Sequence, residues 1–234
     1  MATLAAMATL ILVRHGRSTA NTSGLLAGRT PGVELDERGA AQAAALPARL
    51  DGIPFAAVVS SPLQRCTQTL RPLLDARPGT ELVTDERISE CDYGDWTGRK
   101  LSELGGEPLM EVVQQHPSAA VFPGGESMRA MQARAVACVR EWNERVEREH
   151  GEKAVFLMCS HGDIIKAIVA DALGMHLDLF QRLHADPCSV TALSYTRLRP
   201  FLLKLGDTAD LGALVPREAE GDGPGTVGGG AGAP

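Results

Sequence analysis

The sequence predicts a three-layer α/β/α sandwich around a mainly parallel central sheet. Three observations carry that prediction. Short apolar runs, at residues 9–13 (TLILV), 55–60 (FAAVVS) and 154–159 (AVFLMC), have the continuous hydrophobicity of strands covered on both faces. Segments with helical spacing separate them, which is the alternation of a βα fold. Two of the runs lead into a histidine followed by a glycine, as though two strand ends fed one crevice.

Taken in order, residues 9–13 form the first buried strand, followed by a Gly-, Ser- and Thr-rich loop over 16–32. Residues 36–50 have helical spacing behind an Asp36 N-cap, with Pro47 set to bend or end the helix early. The strand at 55–60 is followed by a helix over 62–74 with Pro62 near its first turn. A short third strand at 81–83 precedes a loop holding Glu90, Tyr93, Gly94, Trp96 and Gly98. Residues 101–115 read as helical, and 124–150 as a glycine turn opening into a long charged helix solvated on one face. The strand at 154–159 leads into a helix over 163–173 closed by Gly174, and 190–195 and 201–205 pair as the last strands.

A chain of 234 residues fits one domain, placed here at 1–206 with 90–150 as a lid-like subregion and 207–234 as a C-terminal segment. From 221 the chain is glycine-rich with almost nothing to bury, as expected of a disordered tail. The words at Met1 and Met7 repeat, so either is a candidate start. The apolar N-terminus lacks the basic n-region and cleavage site of a signal peptide, and no run approaches a membrane span. The five cysteines include no CxxC pair, which fits reduced thiols in a cytoplasmic protein. A net charge of −6 argues against nucleic acid as the partner. It leaves room for a small phosphorylated metabolite, which needs only local cations.

The chemistry concentrates in Leu12-Val13-Arg14-His15-Gly16 and Met158-Cys159-Ser160-His161-Gly162. In open α/β sheets ligands bind beyond the carboxyl ends of the strands, so neighbouring strands would bring both imidazoles into one pocket. Alone, each histidine reads as a satisfied core residue. Arg14 and Arg65 add guanidinium forks suited to phosphate oxygens, and Arg65 stands just inside the helix after a strand end. Cations beside His15 would favour the neutral imidazole that a nucleophile requires.

These segments resemble the histidine phosphatase superfamily, which contains cofactor-dependent phosphoglycerate mutases and broad-specificity phosphatases. The matching pieces run in order over residues 8–195: Leu12–Gly16 with Asn21, Leu35-Asp36-Glu37-Arg38-Gly39 with Gln42-Ala43, and Ser60-Ser61-Pro62-Leu63-Gln64-Arg65 with Gln68-Thr69. Glu90 ahead of Gly94-Asp95-Trp96-Thr97-Gly98, Phe122-Pro123-Gly124-Gly125-Glu126-Ser127, and Ser160-His161-Gly162 complete them. The resemblance implies His15 as nucleophile and Glu90 as proton donor. It assigns the phosphoryl oxygens to Arg14, Asn21, Arg65, a cationic His161 and Gly162. It also implies no metal, no cofactor and a homodimer. Arg17, Gly28, Tyr93, Trp96 and Glu126 are expected around the leaving group, with ordinary packing an equal alternative for Tyr93 and Trp96 and a solvent-facing position an alternative for Arg17. Arg17 stands where the family often has an acidic or amide residue. Glu90-Cys91-Asp92-Tyr93-Gly94 departs from the Glu-Arg-His-Tyr-Gly of the glycolytic mutases towards the phosphatases and an actinobacterial phosphomutase/phosphatase branch.

Other phosphoryl chemistries lack their signatures: no cysteine is followed six residues on by arginine, and no Asp-x-Asp or GxxxxGK[ST] occurs. A metal hydrolase using His15, His161, Asp163 and Glu90 is disfavoured by two arginines in the same pocket. Three readings stay open at this point: a phosphatase, a phosphomutase and a phospho-ligand sensor without turnover.

Overall fold

A computed structural model describes residues 6–210; the Met1 start and the glycine-rich segment from 221 lie outside the described residues. In chain order the elements are β1 (Ala6–Arg14), α1 (Thr19–Thr22), α2 (Glu37–Ala44), α3 (Leu46–Arg49), β2 (Phe55–Ser60), α4 (Gln64–Asp75) and β3 (Leu82–Thr84). There follow α5 (Leu101–Leu104), α6 (Pro108–Gln115), α7 (Met128–His150), β4 (Val155–Ser160), α8 (Gly162–Ala172), β5 (Val190–Thr196) and β6 (Phe201–Asp207).

The six strands form one sheet in the order β3-β2-β4-β1-β5-β6. β3, β2, β4 and β1 pair in parallel, while β5 runs antiparallel to both β1 and β6. Alternation along the strands divides the core in two, because successive side chains point to opposite faces. Leu10, Leu12, Phe156 and Met158 pack with Met131, Ala135, Val139, Ile164 and Ile168 of α7 and α8. Ile11, Val13, Leu157 and Cys159 pack with Leu46 of α3, Leu50 just after it, and Leu70 and Leu73 of α4. The sheet is thus covered on both faces, and the three-layer sandwich stands. Among the described residues no helix is long and apolar enough to cross a membrane.

Three expectations change. The helix over 36–50 is two helices, because Pro47 cannot donate a backbone hydrogen bond and the chain re-enters helix at Leu46 with the proline in its first turn. The helix over 101–115 is likewise two, parted by Gly105 and Gly106 ahead of Pro108. The segment 90–150 is no single lid. Its last part, α7, is capped by Ser127, whose side chain accepts from the Ala130 amide, and buries Met131, Ala135 and Val139 in the core under the sheet.

The loop after β1 is held by close backbone contact with α2. A Cβ on Gly39 would collide with the Arg17 carbonyl oxygen, and one on Gly16 would sit 2.7 Å from the Gly39 oxygen. Only glycine allows α2 to lie this close to the loop that begins at His15. Gly39→Ala should therefore cost about 1–3 kcal/mol through overpacking and lower turnover by displacing that loop. Urea unfolding and steady-state rates check this; an unchanged midpoint would mean the contact does not hold the loop.

Candidate active site

β1 and β4 are neighbours in register, with Arg14 opposite Ser160. The residues immediately after them, His15 and His161, therefore emerge side by side, their ring centroids 5.2 Å apart and their planes at 59°. Arg65 enters from the first turn of α4, and Glu90 from the loop after β3. Arg14, His15, Arg65, Glu90 and His161 are each at most 3% exposed.

Backbone carbonyls and a few side chains fix this cluster. Arg14 donates from Nη1 to the Ala185 oxygen at 2.8 Å. The Cys188 amide, at a left-handed φ of 61°, donates to the carbonyls of both Arg14 and His15 at 3.1 and 3.0 Å. Arg65 donates from Nη2 to the Gly28 oxygen at 2.8 Å and to His161 Nδ1 at 3.1 Å. Thr69 Oγ1 accepts from the Gly16 amide at 2.9 Å and donates to the Arg65 carbonyl at 2.6 Å, joining α4 to the His15 loop.

His15 Nδ1 lies 2.7 Å from the Gly16 carbonyl oxygen. A carbonyl only accepts, so Nδ1 carries the proton and Nε2 presents the lone pair. Burial, then Arg65 and Arg14, hold this imidazole well below its usual pKa. Burial also draws the Arg14 guanidinium down to about 10, still cationic at neutral pH. The Glu90 carboxyl is pushed the other way, up to about 7, by burial and then by Asp163, against the pull of the Cys91 amide and both arginines. Its Oε1 accepts from the Cys91 amide at 2.9 Å, and its backbone oxygen accepts from Arg29 Nε at 3.0 Å and Arg134 Nη2 at 3.1 Å.

The expectation of a cationic His161 fails in this geometry. Burial, Arg65 and His15 push it well below the imidazole range. As a neutral ring it accepts at Nδ1 from Arg65 and donates from Nε2 to Ser61 Oγ at 2.8 Å, so both nitrogens already have protein partners.

The residues expected around the leaving group already have protein partners. Tyr93 and Trp96 are buried, Tyr93 edge-on to Phe122 at 5.0 Å and Trp96 against the same ring at 5.4 Å. Both are core residues whose packing shapes the wall from behind. Gly28 is buried too, and works through its carbonyl on Arg65. Arg17 is paired through Nε with Asp36 Oδ2 at 2.6 Å, which cancels the extra charge expected there. Asn21 uses Oδ1 to accept from the Ser18 amide at 3.0 Å and hydroxyl at 2.8 Å, so a phosphoryl contact from it falls to the amide nitrogen. Gly162 opens α8, among the first-turn amides that a helix leaves without an intrahelical partner. Glu126 grips Arg134 at 2.6 and 3.0 Å and reaches Arg29 at 3.1 Å, bracing the Glu90 loop.

Sequence reasoning did not single out Arg134, and met Ser61 only within a motif and Asp163 only as a candidate metal ligand. The doubled serine at a strand end and the Asp163/Lys166 pair inside an otherwise apolar helix were the available signals. Arg134 had none, being one of several arginines along α7.

The model of the histidine phosphatase superfamily (branch 1) matches residues 10–208. Phosphoserine phosphatase 1 of Hydrogenobacter thermophilus is 31% identical over 209 residues, covering 88% of this chain and 95% of the relative. A 2,3-bisphosphoglycerate-dependent phosphoglycerate mutase of Gloeobacter violaceus is 29% identical over 193 residues, covering 81% and 86%. Among solved structures, Bacillus stearothermophilus YhfR superposes with a TM-score of 0.77 at 27% identity, covering 86% of this chain and 97% of that one.

Removing one cation should loosen the hold on the histidines. Arg65→Met deletes a like charge, so the pKa values of His15 and His161 should rise towards the ordinary imidazole range. Nitrogen chemical shifts followed against pH read this out. Wild-type His15 should report a proton on Nδ1 only, through neutral pH; titration unchanged by the substitution would assign the low values to burial alone.

Proposed function

The chain belongs to the histidine phosphatase superfamily, and we propose that it hydrolyses small phosphomonoesters through a phosphohistidine on His15. The observation that carries this reading is the 2.7 Å contact between His15 Nδ1 and the Gly16 oxygen, which leaves Nε2 as a fixed lone pair beside two buried guanidinium groups. Phosphoryl transfer asks mainly for in-line placement and neutralised oxygens, and a fixed Nε2 beside two buried arginines supports that reading.

In the first half-reaction Nε2 of His15 attacks phosphorus and the P–O bond to the leaving group breaks. Protonated Glu90 gives its proton to the departing oxygen. Arg14 and Arg65 balance the charge on the equatorial oxygens, with Asn21 and the Gly162 amide as further donors, while His161 keeps Arg65 in place. In the second half-reaction the Glu90 carboxylate takes a proton from water as that water attacks the phosphohistidine. Inorganic phosphate leaves and His15 returns to its neutral form. Buried arginines fill the place a metal ion would otherwise take, so the reaction runs in chelator. The cysteine pattern supports a cytoplasmic setting.

A phosphomutase is the second reading, favoured by the likeness to a phosphoglycerate mutase. It uses the same phosphohistidine but passes the group to a second substrate. Loss of the arginine and histidine of the mutase-type Glu90 segment favours water as the acceptor.

Phosphate release from a panel of phosphomonoesters in chelator should occur with wild type and not with His15→Ala. Labelled enzyme quenched in alkali should carry phosphohistidine only when His15 is present. Transfer between two positions of a substrate without phosphate release would establish the mutase instead. Glu90 must be protonated to act as an acid, so with its pKa near 7 the rate on alkyl phosphates should fall as pH rises above about 7. Glu90→Gln should slow alkyl phosphates roughly 10²–10⁴-fold and nitrophenyl phosphate far less, because a good leaving group departs unprotonated. Equal slowing of both would remove Glu90 as the acid.

A further inference from the structure

Behind the proposed acid lies a charged cluster that the reaction scheme leaves idle. Asp163 is 0% exposed and Lys166, one turn on along α8, is 2% exposed. Asp163 Oδ1 meets Lys166 Nζ at 2.8 Å, and Asp163 Oδ2 accepts from the Tyr93 hydroxyl at 2.8 Å. Lys166 also donates to Gln181 Oε1 at 2.6 Å and sits over the Phe180 ring at 4.8 Å. Every other residue from Gly162 to Ala170 is buried and apolar. An ion pair in such surroundings contributes little net stability compared with an apolar pair of similar volume.

Its connections give it a different use. Asp163 follows His161 by two residues, and Tyr93 follows Glu90 by three. The Tyr93–Asp163 hydrogen bond therefore ties the loop carrying the acid to the strand end carrying the second histidine. We propose that Asp163 is a positioning residue for this reaction, holding Glu90 in place through Tyr93 and keeping it in its protonated form, with Lys166 tempering that effect. The proposal rests on the reading of Glu90 as the proton donor.

The charged and titratable groups that bear on Glu90 are Arg14 from β1, Arg65 from α4, Asp163 from α8, the neighbouring Cys91 thiol and Tyr93 phenol, and Arg29 and Arg134, which donate to its backbone oxygen. Two cations alone would favour the carboxylate, which cannot donate a proton. Asp163 is the anion that opposes them, and Lys166 moderates it. After burial, Asp163 is the largest influence raising the Glu90 pKa. The Tyr93 phenol is itself held well above its ordinary pKa by burial and then by Asp163, so it remains a donor to Asp163 throughout the working range.

The test is the alkaline limb of the pH–rate profile on an alkyl phosphate, for wild type, Glu90→Gln, Asp163→Asn, Lys166→Met and Tyr93→Phe. Asp163→Asn removes the opposing anion and leaves Lys166 in its place, so the limb should move down by about one pH unit, a tenfold change in proton affinity. Lys166→Met leaves the anion unmoderated, so the limb should move up. Tyr93→Phe should lower kcat on alkyl phosphates with little change in KM. Opposite displacements from the two charge variants are something a merely structural pair would not produce. Should Asp163→Asn fail to fold, Lys166→Met and Tyr93→Phe still decide the matter. A limb that vanishes in Glu90→Gln but stays fixed in the charge variants overturns the proposal alone. A limb that survives in Glu90→Gln removes Glu90 as the acid, and the proposal with it.

Discussion

Two guanidinium groups buried in one pocket impose conditions on every residue around them. Arg14 and Arg65 are each at most 2% exposed, and positive charge so far from water is costly unless backbone oxygens or anions face it. The chain meets that condition with the carbonyls of Ala185 and Gly28 and, at longer range, with Asp186, Asp163 and, once ionised, Glu90. Both histidines answer in the opposite sense, by staying neutral. One of them is held by its own backbone with Nε2 left as a lone pair, the other props Arg65. A phosphoryl group entering the site would complete the charge balance that the protein leaves open.

The sheet makes this concentration feasible. Parallel neighbours end together, so two strand ends can present side chains to one place without a long loop between them. The pieces joining the strands to their surroundings are small and specific. Gly16 and Gly39 let helix α2 lie against the loop, Thr69 links that loop to α4, and Gln42 accepts from the Arg17 amide at 2.9 Å. The Ser160 hydroxyl reaches the Ile88 oxygen at 2.8 Å and so joins β4 to the Glu90 loop. Much of what looks like a catalytic signature in the chain is this joinery.

The same distinction explains how much was legible beforehand. Strand positions and the paired histidine ends could be read from apolar runs, because burial on both faces leaves an unmistakable pattern. His15, Arg14, Arg65, Glu90 and His161 were found as a set, and the fold gathers them. Side-chain direction was not legible. Tyr93 and Trp96 read equally as pocket residues or as packing, and Phe122 and Asp163 claim them for the interior. Arg17 looked like a spare cation because its partner Asp36 lies on a different element. The charge of His161 depends on burial and on Arg65, neither of which spacing along a chain reports.

The place of β1 in the sheet has a consequence for how the protein comes into being. Among the described strands, the one leading into His15 comes first in the chain, yet its two neighbours are β4 and β5, which come late. Bringing such distant segments together carries a loop-closure cost before any pairing is gained, and folds dominated by such contacts form slowly. During synthesis the first strand waits as an exposed apolar segment with no sheet to join, a state open to misassociation. Glu90, Arg65 and His15 all precede His161 in the chain, so the full cluster needs nearly the whole domain to be made.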